Sequence, residues 1–440
     1  MIGDPAEAAG GGKVSARRAN VTLALLMLVA VFAYANLQLF ALLASDIKAA
    51  FGISDTNVGI LGGMTVNFST AVALIPVGML VDRKNRIRLL MLASGLWGAF
   101  TLLTGLTEGY WQLFACRVGV GAAEAAVYPA CYSLIADLYD QRRRALAVSV
   151  FLTGTLAGAS AVTSLSGTMI GVFEVARLAG HEALTVLAPW RVAFVAAALP
   201  GFILFVALMF VREPARQEQH VSHEQDGTTS FRQFLVSERS LIVRLIGAIV
   251  LAQVGLGPIF AWLPTAFVRV HGFGSGQAGE WFGMIFGAGS LSGIALGTGL
   301  VTWFGRKDVT AAPLNVLKIG TVLGALSVLG LPFAQTPLMV AAAASAFIAS
   351  VYVGMTVTPT ILMATAPNHL RGQLVSLQTL SLICLMAVTP PLVGLLSDLV
   401  FEGTGGLLLA IGAVTIPCSV CAPLLLLVRR RGVLRPALAR

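Results

Sequence analysis

Two ionisable side chains of this 440-residue chain, Arg117 and Glu124, stand inside a long apolar stretch. Glu124 is the only carboxylate near the middle of any such stretch. If the stretch crosses a membrane, an ionised side chain there costs at least about 2.5–3.5 kcal/mol, so such a residue usually faces a cavity and has a function. A carboxyl group removed from water favours its neutral form, and a group that changes protonation can couple to proton movement. The sequence predicts a proton-exchanging acid at Glu124.

Arg117 is the second candidate because it precedes Glu124 by seven residues. In a helix this spacing is about 10.5 Å along the axis and nearly two turns, so both side chains share one face, together with Tyr128. A guanidinium group keeps its proton and binds carboxylate or phosphate through two hydrogen bonds. Arg117 therefore indicates a site for an anion, coupled to Glu124. The alternative is an ion pair that only holds the helix in place.

The elements that position these residues are predicted to be membrane-spanning helices. Apolar residues make up 57% of the chain and charged residues 11%, against about 45–50% and 25% in soluble domains. A spanning helix needs about 20 mostly apolar residues, and backbone groups in hydrocarbon must pair internally. The long run 319–368 divides at the turn signal 331–337, which gives twelve helices. The charge-poor runs are 21–44, 56–81, 89–107, 118–136, 145–173, 192–211, 245–268, 281–305, 319–368, 372–397 and 404–428.

The distribution of cations predicts which way the helices run. If the N-terminus is cytoplasmic, 23 of the 29 Lys and Arg residues lie on the cytoplasmic side. Cytoplasmic loops of membrane proteins carry such an excess, so both termini are predicted to be cytoplasmic. The net charge of +9 then reflects topology and contact with anionic lipid of a bacterial-type inner membrane. A nucleic-acid partner is not expected.

The chain is predicted to contain two similar halves. Arg144 precedes Gly167 by 23 residues, and Arg371 precedes Gly394 by the same interval, at the start of equivalent helices. The predicted fold is an all-α membrane protein with two pseudo-symmetric six-helix bundles. The predicted parts are a cytoplasmic tail 1–20, a first bundle 21–211, a linker 212–240 with a short helix near 231–235, a second bundle 241–428 and a basic tail 429–440.

Enzymatic chemistry is not indicated. All five cysteines lie within predicted spans, and the five histidines lie in loops or at helix ends. We find no Ser/His/Asp set, metal-ligand cluster or phosphate-binding loop. The sequence therefore predicts neither a cofactor nor a metal site, and a membrane enzyme or a receptor-like sensor is the least favoured class.

A family resemblance enters through the loop after the second predicted helix. The pattern Gly78-x-x-x-Asp82-Arg83-x-x-Arg86 resembles the signature loop of the major facilitator superfamily. Further segments resemble the spinster-type branch, although organic anion–cation symporters share the Arg…Glu-Ala…Pro pattern of the fourth helix. These segments are 51–61, 117–124, 133–137, 190–194, 211–216, 262–264 and 370–372.

The resemblance implies a rocker-switch transporter with a central site between the halves. Spinster-like members move lysolipids or sphingosine phosphate, and bacterial relatives are linked to proton coupling. The resemblance also implies that Asp82, Arg86 and Asp137 form a charge cluster that latches the outward-open state. Trp303 stands where the second half would carry its own acid, which indicates a one-sided latch. The alternative is that the basic loop only sets topology.

The first helix departs from the family pattern. Spinster-like sequences tend to have Asp-Arg where this chain has Asn36-Leu37. Asn36 cannot titrate, so proton coupling must depend on Glu124 alone or be absent, and one cation for a phosphate headgroup is missing. Asn36, Gln38 and Tyr34 are still expected to line the cavity as neutral groups.

Four residues of the second half complete the expected site. Gln253 and Trp262 resemble a gating segment of the seventh helix, although a Trp at a span end can also be an interfacial anchor. Tyr352 and Thr356 are the expected polar lining from the tenth helix.

The expected function is secondary active transport of an amphipathic or organic anionic solute across the inner membrane, by alternating access and coupled to protons through Glu124. The alternatives are drug-type efflux of apolar compounds and symport of a small carboxylate with a proton. The expected partners are the solute or lipid substrate, the bilayer and the proton, and the protein is expected to be a monomer.

Overall fold

The computed structural model describes residues 16–178, 188–216, 230–401, 403 and 405–427, and this part of the chain is almost entirely helical. Twelve of its helices are long and apolar enough to cross a membrane, as predicted. The side on which the termini lie is not tested and stays a prediction. Spans 1 to 12 are Arg17–Leu42, Asp55–Arg83, Arg86–Leu106, Tyr110–Leu138, Gln141–Ala176, Pro189–Met209, Arg239–His271, Ser275–Gly305, Ala312–Phe333, Pro337–Thr365, Asn368–Leu399 and Gly406–Leu427.

Several spans are interrupted, and the interruptions have local causes. Span 4 consists of the helices Tyr110–Glu124 and Val127–Leu138. Pro129 follows the break and has no N–H to donate to the carbonyl of the residue four positions earlier, which kinks a helix. Span 7 breaks in the same way between Arg239–Val254 and Leu256–His271, just before Pro258.

The remaining departures from regular α-helix are short. Span 2 contains a π-helical turn, span 9 ends and span 11 begins in a 3-10 turn, and two short helices lie outside the spans. These five segments are, in the same order, Ile60–Met64, Leu331–Phe333, Asn368–Leu370, Ala44–Phe51 and Phe231–Ser237.

The helix bounds differ from the predicted segments at the joints. The first helix begins at Ala16, inside the segment predicted as a tail. The short linker helix runs over Phe231–Ser237, and Ser230 and Gln233 form a capping box at its start. The rest of the predicted tails and the centre of the linker, at 1–15, 217–229 and 428–440, lie outside the described residues.

The two halves, spans 1–6 and 7–12, meet most closely where spans 5 and 8 cross. Ser160 Oγ donates to the Gly283 carbonyl at 2.6 Å, and Ser164 Oγ donates to the Glu280 carbonyl at 3.2 Å. A Cβ on Gly167 would lie 2.5 Å from the Glu280 backbone nitrogen. Small residues permit this close approach, which is how helices associate in lipid.

The halves separate towards one face of the membrane. We call the face where span 1 begins and span 12 ends the terminal side, and the other face the opposite side. Gly59 of span 2 packs directly against the backbone of Pro390 of span 11 near the opposite side. Gly78, towards the terminal end of span 2, would meet no atom within 4 Å if it carried a Cβ. The structure is therefore closed at the opposite side.

Candidate functional site

Arg117 lies in the interior of the first half, in the upstream helix of span 4. Its side chain is 1% exposed, and its Cζ stands 4.6 Å from the centroid of the Phe40 ring. Its Nε and Nη2 atoms have no hydrogen-bond partner among the described residues. The guanidinium group is thus held by a cation–π contact and retains unused donors.

Glu124 is the last residue before the break in span 4, and it is 9% exposed. Among the described residues, neither its Oε1 atom nor the Nδ2 atom of Asn36 has a partner at hydrogen-bond geometry, although the Asn36 side chain lies close enough to act on the carboxyl group. Arg117 acts on the carboxyl group through its electric field, but the two side chains form no direct ion pair. The structure therefore differs from the alternative in which a tight ion pair holds span 4 in place.

Asn36 is fixed from a third span. Its Oδ1 accepts a hydrogen bond from Thr101 Oγ1 of span 3 at 3.3 Å. Asn36 therefore lies with Glu124 inside the first half, where the structure brings together spans 1, 3 and 4. The cluster of Asn36, Arg117 and Glu124 has several buried polar atoms with no partner, and native interiors normally satisfy such atoms.

Three tyrosines from both halves lie close together beside this cluster. Tyr34 of span 1 interacts with Tyr128 of span 4 and Tyr352 of span 10. The Tyr34 ring stacks on Phe286 of span 8, with centroids 5.3 Å apart and planes at 10°. The predicted residues Tyr34, Tyr128 and Tyr352 thus meet at the centre of the molecule, where the two halves face each other.

A cavity of about 240 Å³ lies between the halves, among spans 1, 2, 7 and 11. None of the described residues that line it is charged, and Leu37, which stands where the resemblance implies an Arg, lies on its wall. Its polar groups come from Tyr34, Gln38 and Asn67, while Phe260 and Met386 supply apolar surface from the second half. The cavity therefore suits an apolar or aromatic body rather than a charged group.

Three predicted residues of the second half take different places. Trp262 lines the cavity but donates its Nε1–H to the Pro390 carbonyl at 2.9 Å, which ties spans 7 and 11 together. Gln253 does not face this cavity. It lies inside the second half, in a small space shared with spans 9, 10 and 12. Thr356 Oγ1 donates to the Val353 carbonyl and packs against Gly297 of span 8.

The predicted charge cluster forms only in part. Arg86 and Asp137 are buried and joined by an ion pair, and Arg86 Nε also donates to Glu213 Oε1 at 2.7 Å. The side chain of Asp82 is exposed and does not join them, and only its backbone carbonyl accepts a hydrogen bond, from Arg216. Span 2 has no neighbour near Gly78 in this conformation, so the latch of the outward-open state stays a prediction.

Gly78 and Arg83 likewise make no contact across the halves in the described structure. The ion pairs of the cluster stay within the first half, where Glu213 follows span 6. Glu213 lies in the segment 211–216, which resembles the spinster-type branch, but the sequence did not predict its pairing with Arg86. A single Glu just after an apolar run was the available signal for a charged contact there.

A second charged cluster, missed by sequence reasoning, closes the opposite side. We call it the opposite-side network: Lys48, Asp55 and Thr56 from the first half, and Arg269, Ser397 and Asp398 from the second. The guanidinium group of Arg269 donates two hydrogen bonds of 2.6 Å to the Asp55 carboxylate, and Lys48 Nζ lies 2.6 Å from Asp55 Oδ1. Such two-pronged charge-assisted bonds are strong and directional.

Asp398 completes this network by binding the start of span 2. Its carboxylate accepts the backbone N–H of Asp55 at 3.0 Å and of Thr56 at 2.8 Å. A carboxylate at a helix N-terminus is stabilised by the free N–H groups and the helix dipole. The signals were an Asp just after the apolar run 372–397 and a Ser-Asp pair where span 2 begins, but nothing in the sequence pairs them.

Comparisons with known proteins agree with this architecture. The model of the Major Facilitator Superfamily matches residues 26–379. An MFS-type efflux pump of Mycolicibacterium smegmatis is 26% identical over 313 residues, covering 71% of this chain and 69% of that protein. Protein spinster homolog 1 of Xenopus laevis is 26% identical over 416 residues, covering 89% and 75%.

A relative that carries a small organic molecule is also similar. A probable 4-methylmuconolactone transporter of Cupriavidus pinatubonensis is 25% identical over 279 residues, covering 62% of this chain and 60% of that protein. Among solved structures, a bacterial homologue of the human lysosomal transporter spinster, inward-facing and unoccupied, superimposes with a TM-score of 0.74 at 20% identity. That match covers 94% of this chain and 95% of the other, and it shows a shared fold.

The family match, the twelve spans and the site between two helical halves lead to one assignment. An integral multi-pass membrane architecture of this kind serves transport, not enzymatic turnover. The chain belongs to the major facilitator superfamily, and it is similar to transporters of the spinster type.

Proposed function

We propose that the protein is a secondary active transporter of an amphipathic or organic anionic solute, driven by protons that bind and leave Glu124. The observation that carries this proposal is the buried cluster of Asn36, Arg117 and Glu124 beside the central cavity. Arg117 offers unused donors to an anion, and Glu124 offers an unpaired carboxyl oxygen to a proton. The two groups interact through space, so a change of charge at one alters the other.

The two charged clusters support a mechanism of alternating access. The opposite-side network closes one face in this structure, and the cluster of Arg86 and Asp137 lies at the other. With cytoplasmic termini, the described state is inward-facing. In the outward-facing state, Gly78 and the exposed Asp82 would approach span 11 and serve as the latch that the family resemblance implies. Transport across a bacterial-type inner membrane by a monomer is the arrangement we favour.

The proton assignment makes a direct prediction. Glu124→Gln keeps the size and hydrogen bonding of the side chain but cannot titrate, so it should fold normally and lose transport driven by a proton gradient. The measurement is solute uptake into liposomes with and without an imposed pH gradient. Glu108→Gln is the matched control, because Glu108 is an exposed acid just before span 4. Unchanged gradient dependence in Glu124→Gln would contradict proton coupling through this residue.

Two narrower alternatives have support of their own. The uncharged cavity and the similarity to an efflux pump favour export of apolar compounds. The similarity to a 4-methylmuconolactone transporter favours a small organic acid or its lactone. The variant Arg117→Ala distinguishes export of neutral apolar compounds from transport of an organic acid. Transport of an anion should be lost in this variant, whereas transport of a neutral compound should be retained.

The class of solute can be found by ligand stabilisation of the purified protein. Lysophospholipids, sphingoid phosphates and small carboxylates would be tested in parallel by thermal unfolding, since a ligand that binds only the folded state raises its melting temperature. Stabilisation by the single-chain lipids favours the lipid solute, and stabilisation by carboxylates alone favours the small-acid solute.

A further inference from the structure

Phe40 stands between the cavity and Arg117, the cation to which the proposed function assigns an anionic solute. One face of its ring lies against the guanidinium group of Arg117, at 4.6 Å from Cζ to centroid. Phe40 also lines the cavity, whereas Arg117 is 1% exposed and does not reach the cavity wall. In the described structure, a solute in the cavity would therefore touch Phe40 and not Arg117.

The Phe40 ring can occupy its position because the residue that faces it, Gly62, has no side chain. A Cβ at Gly62 would lie 2.9 Å from both Cδ1 and Cε1 of Phe40, closer than carbon atoms normally approach. Gly62 lies in the π-helical turn Ile60–Met64 of span 2. Such turns are rare in proteins as a whole, but those that occur are often found at functional sites. The ring is thus packed closely against span 2 on one side and covers Arg117 on another.

The contact with Phe40 leaves the hydrogen bonds of Arg117 unused. Its Nε and Nη2 atoms are buried and have no partner among the described residues. A guanidinium group stays charged in proteins, and its strongest partners are carboxylate and phosphate oxygens held by two parallel hydrogen bonds. Leaving a charged donor buried without a partner is costly, so a site of this kind favours an anion that supplies one.

We infer that Phe40 is a movable cover that decides which solutes reach Arg117. The ring turns aside when an anion enters, the anion takes the free nitrogen atoms of Arg117, and the cavity holds its apolar body. A neutral solute fits the cavity without displacing Phe40. This inference rests on the proposed function, and it narrows the solute to an anionic head on an apolar or aromatic body.

The cover can be tested by chemical labelling of Arg117 in the intact protein, without any transport assay. Phenylglyoxal modifies accessible arginines, and mass spectrometry reports the modified fraction of Arg117 against the exposed Arg142. Phe40→Ala should label roughly tenfold faster than wild type, since it removes both the cation–π contact and the cover. Phe40→Leu, which restores bulk, should label slowly.

The matched control is Phe260→Ala, which removes an aromatic ring from the same cavity but on the second half. It should leave Arg117 labelling at the wild-type rate. Fast labelling of Arg117 in wild type, or equal acceleration by Phe260→Ala, would overturn the cover. Thermal unfolding of each variant checks that labelling does not report a loosened fold.

The anion is tested by protection of the same residue. Dodecyl phosphate and cis,cis-muconate are the charged probes, and dodecyl maltoside and dimethyl muconate are their neutral counterparts. In Phe40→Ala, at least one charged probe should slow Arg117 labelling, and the neutral counterparts should not. Equal protection by the charged and neutral probes, or protection by neither, would overturn the anion site. Failure of proton coupling in liposomes would leave both labelling results unchanged, so the two proposals can fail separately.

Discussion

At the scale of single residues, what distinguishes this chain is how few charges its centre holds. Asn36 and Leu37 stand where the family resemblance implies Asp and Arg, and the described residues of the cavity wall carry no charge. Under the proposed function, recognition of an anion would then depend on Arg117, and proton exchange would depend on Glu124. A site with one cation and one acid has no duplicate for either role, so conservative substitutions should have large effects.

Arg117→Lys is the sharpest of these substitutions. Lysine keeps the positive charge and the stacking on Phe40, but it loses the paired donors that fit a carboxylate or phosphate. We expect anion affinity to fall by roughly tenfold, as for the loss of one charge-assisted hydrogen bond. Titration of the stabilising anion by thermal unfolding measures it. An unchanged affinity would mean that charge alone, and not the guanidinium geometry, binds the anion.

At the scale of helices, span 2 is the element on which both faces of the protein depend. Its first residues bind Arg269 and Asp398 of the second half, and its last residues lead into the loop before Arg86. Between them, Gly62 receives Phe40. Movement of span 2 would therefore change the closed face, the cavity and the cover together.

Asp398→Asn tests the role of span 2 at the closed face. Asparagine retains an acceptor but loses the negative charge that the start of span 2 and the nearby Arg269 favour, so the closed state should be less populated. The measurement is the rate at which a membrane-impermeant thiol reagent modifies a cysteine introduced at Ser397, a half-buried member of the network. We expect a several-fold increase, consistent with a loss on the order of 1 kcal/mol.

Asp308→Asn is the control for that variant, because Asp308 is also an acid near a helix start but lies within the second half alone. It should leave the thiol reaction rate at its original value. A rate that stays low in Asp398→Asn would place the closure elsewhere, for example in the crossing of spans 5 and 8.

Sequence reasoning located the spans well and the contacts between them poorly, for a physical reason. Spans follow from charge-poor runs, because a charged side chain inside the bilayer is costly and therefore rare. The Asp55–Asp398 contact joins residues 343 positions apart, and no local pattern encodes such a pair. The face of a helix that meets the cavity also depends on packing, so the sequence alone does not show that Gln253 lies inside the second half while Tyr352 lies near Tyr34 at the centre.

Some local signals were present but not used. Pro129 predicts a break in span 4, and Glu124 stands immediately before that break. The seven-residue spacing from Arg117 implied a shared face, yet the structure separates the two groups enough that they form no direct ion pair. Periodicity therefore indicates the direction of a side chain but not the distance between two long side chains that can bend apart.

At the scale of the whole molecule, the equilibrium between the two faces should respond to pH through Asp46. This residue lies in the short helix Ala44–Phe51, and Ser275 Oγ of the second half donates to its carboxylate at 2.8 Å. Burial raises the pKa of Asp46 above its usual value, and the hydrogen bond from Ser275 offsets part of that rise. The closed state thus binds the proton of Asp46 more tightly than a water-exposed state would.

The sign of the pH effect follows from this difference. As pH falls through the raised pKa of Asp46 towards the ordinary value of about 3.9, the buried carboxylate becomes protonated. Neutralising it removes the cost of burying its charge, which favours the state that is closed at the opposite side. The same cysteine at position 397 should therefore react more slowly with a pH-insensitive maleimide-type probe after correction for thiol ionisation. Asp46→Asn should abolish the part of the pH dependence that this residue causes, and an unchanged profile would exclude Asp46 as its source.

The carboxylate of Asp398 has one more consequence, for folding within the membrane. The first N–H groups of any helix lack partners inside that helix, and here two of those of span 2 are satisfied by the other half of the protein. When the halves part, span 2 must find water or another acceptor for these groups. The second half thus supplies the acceptor that caps the start of span 2. Each transport cycle would therefore include fraying and re-formation of the first turn of span 2.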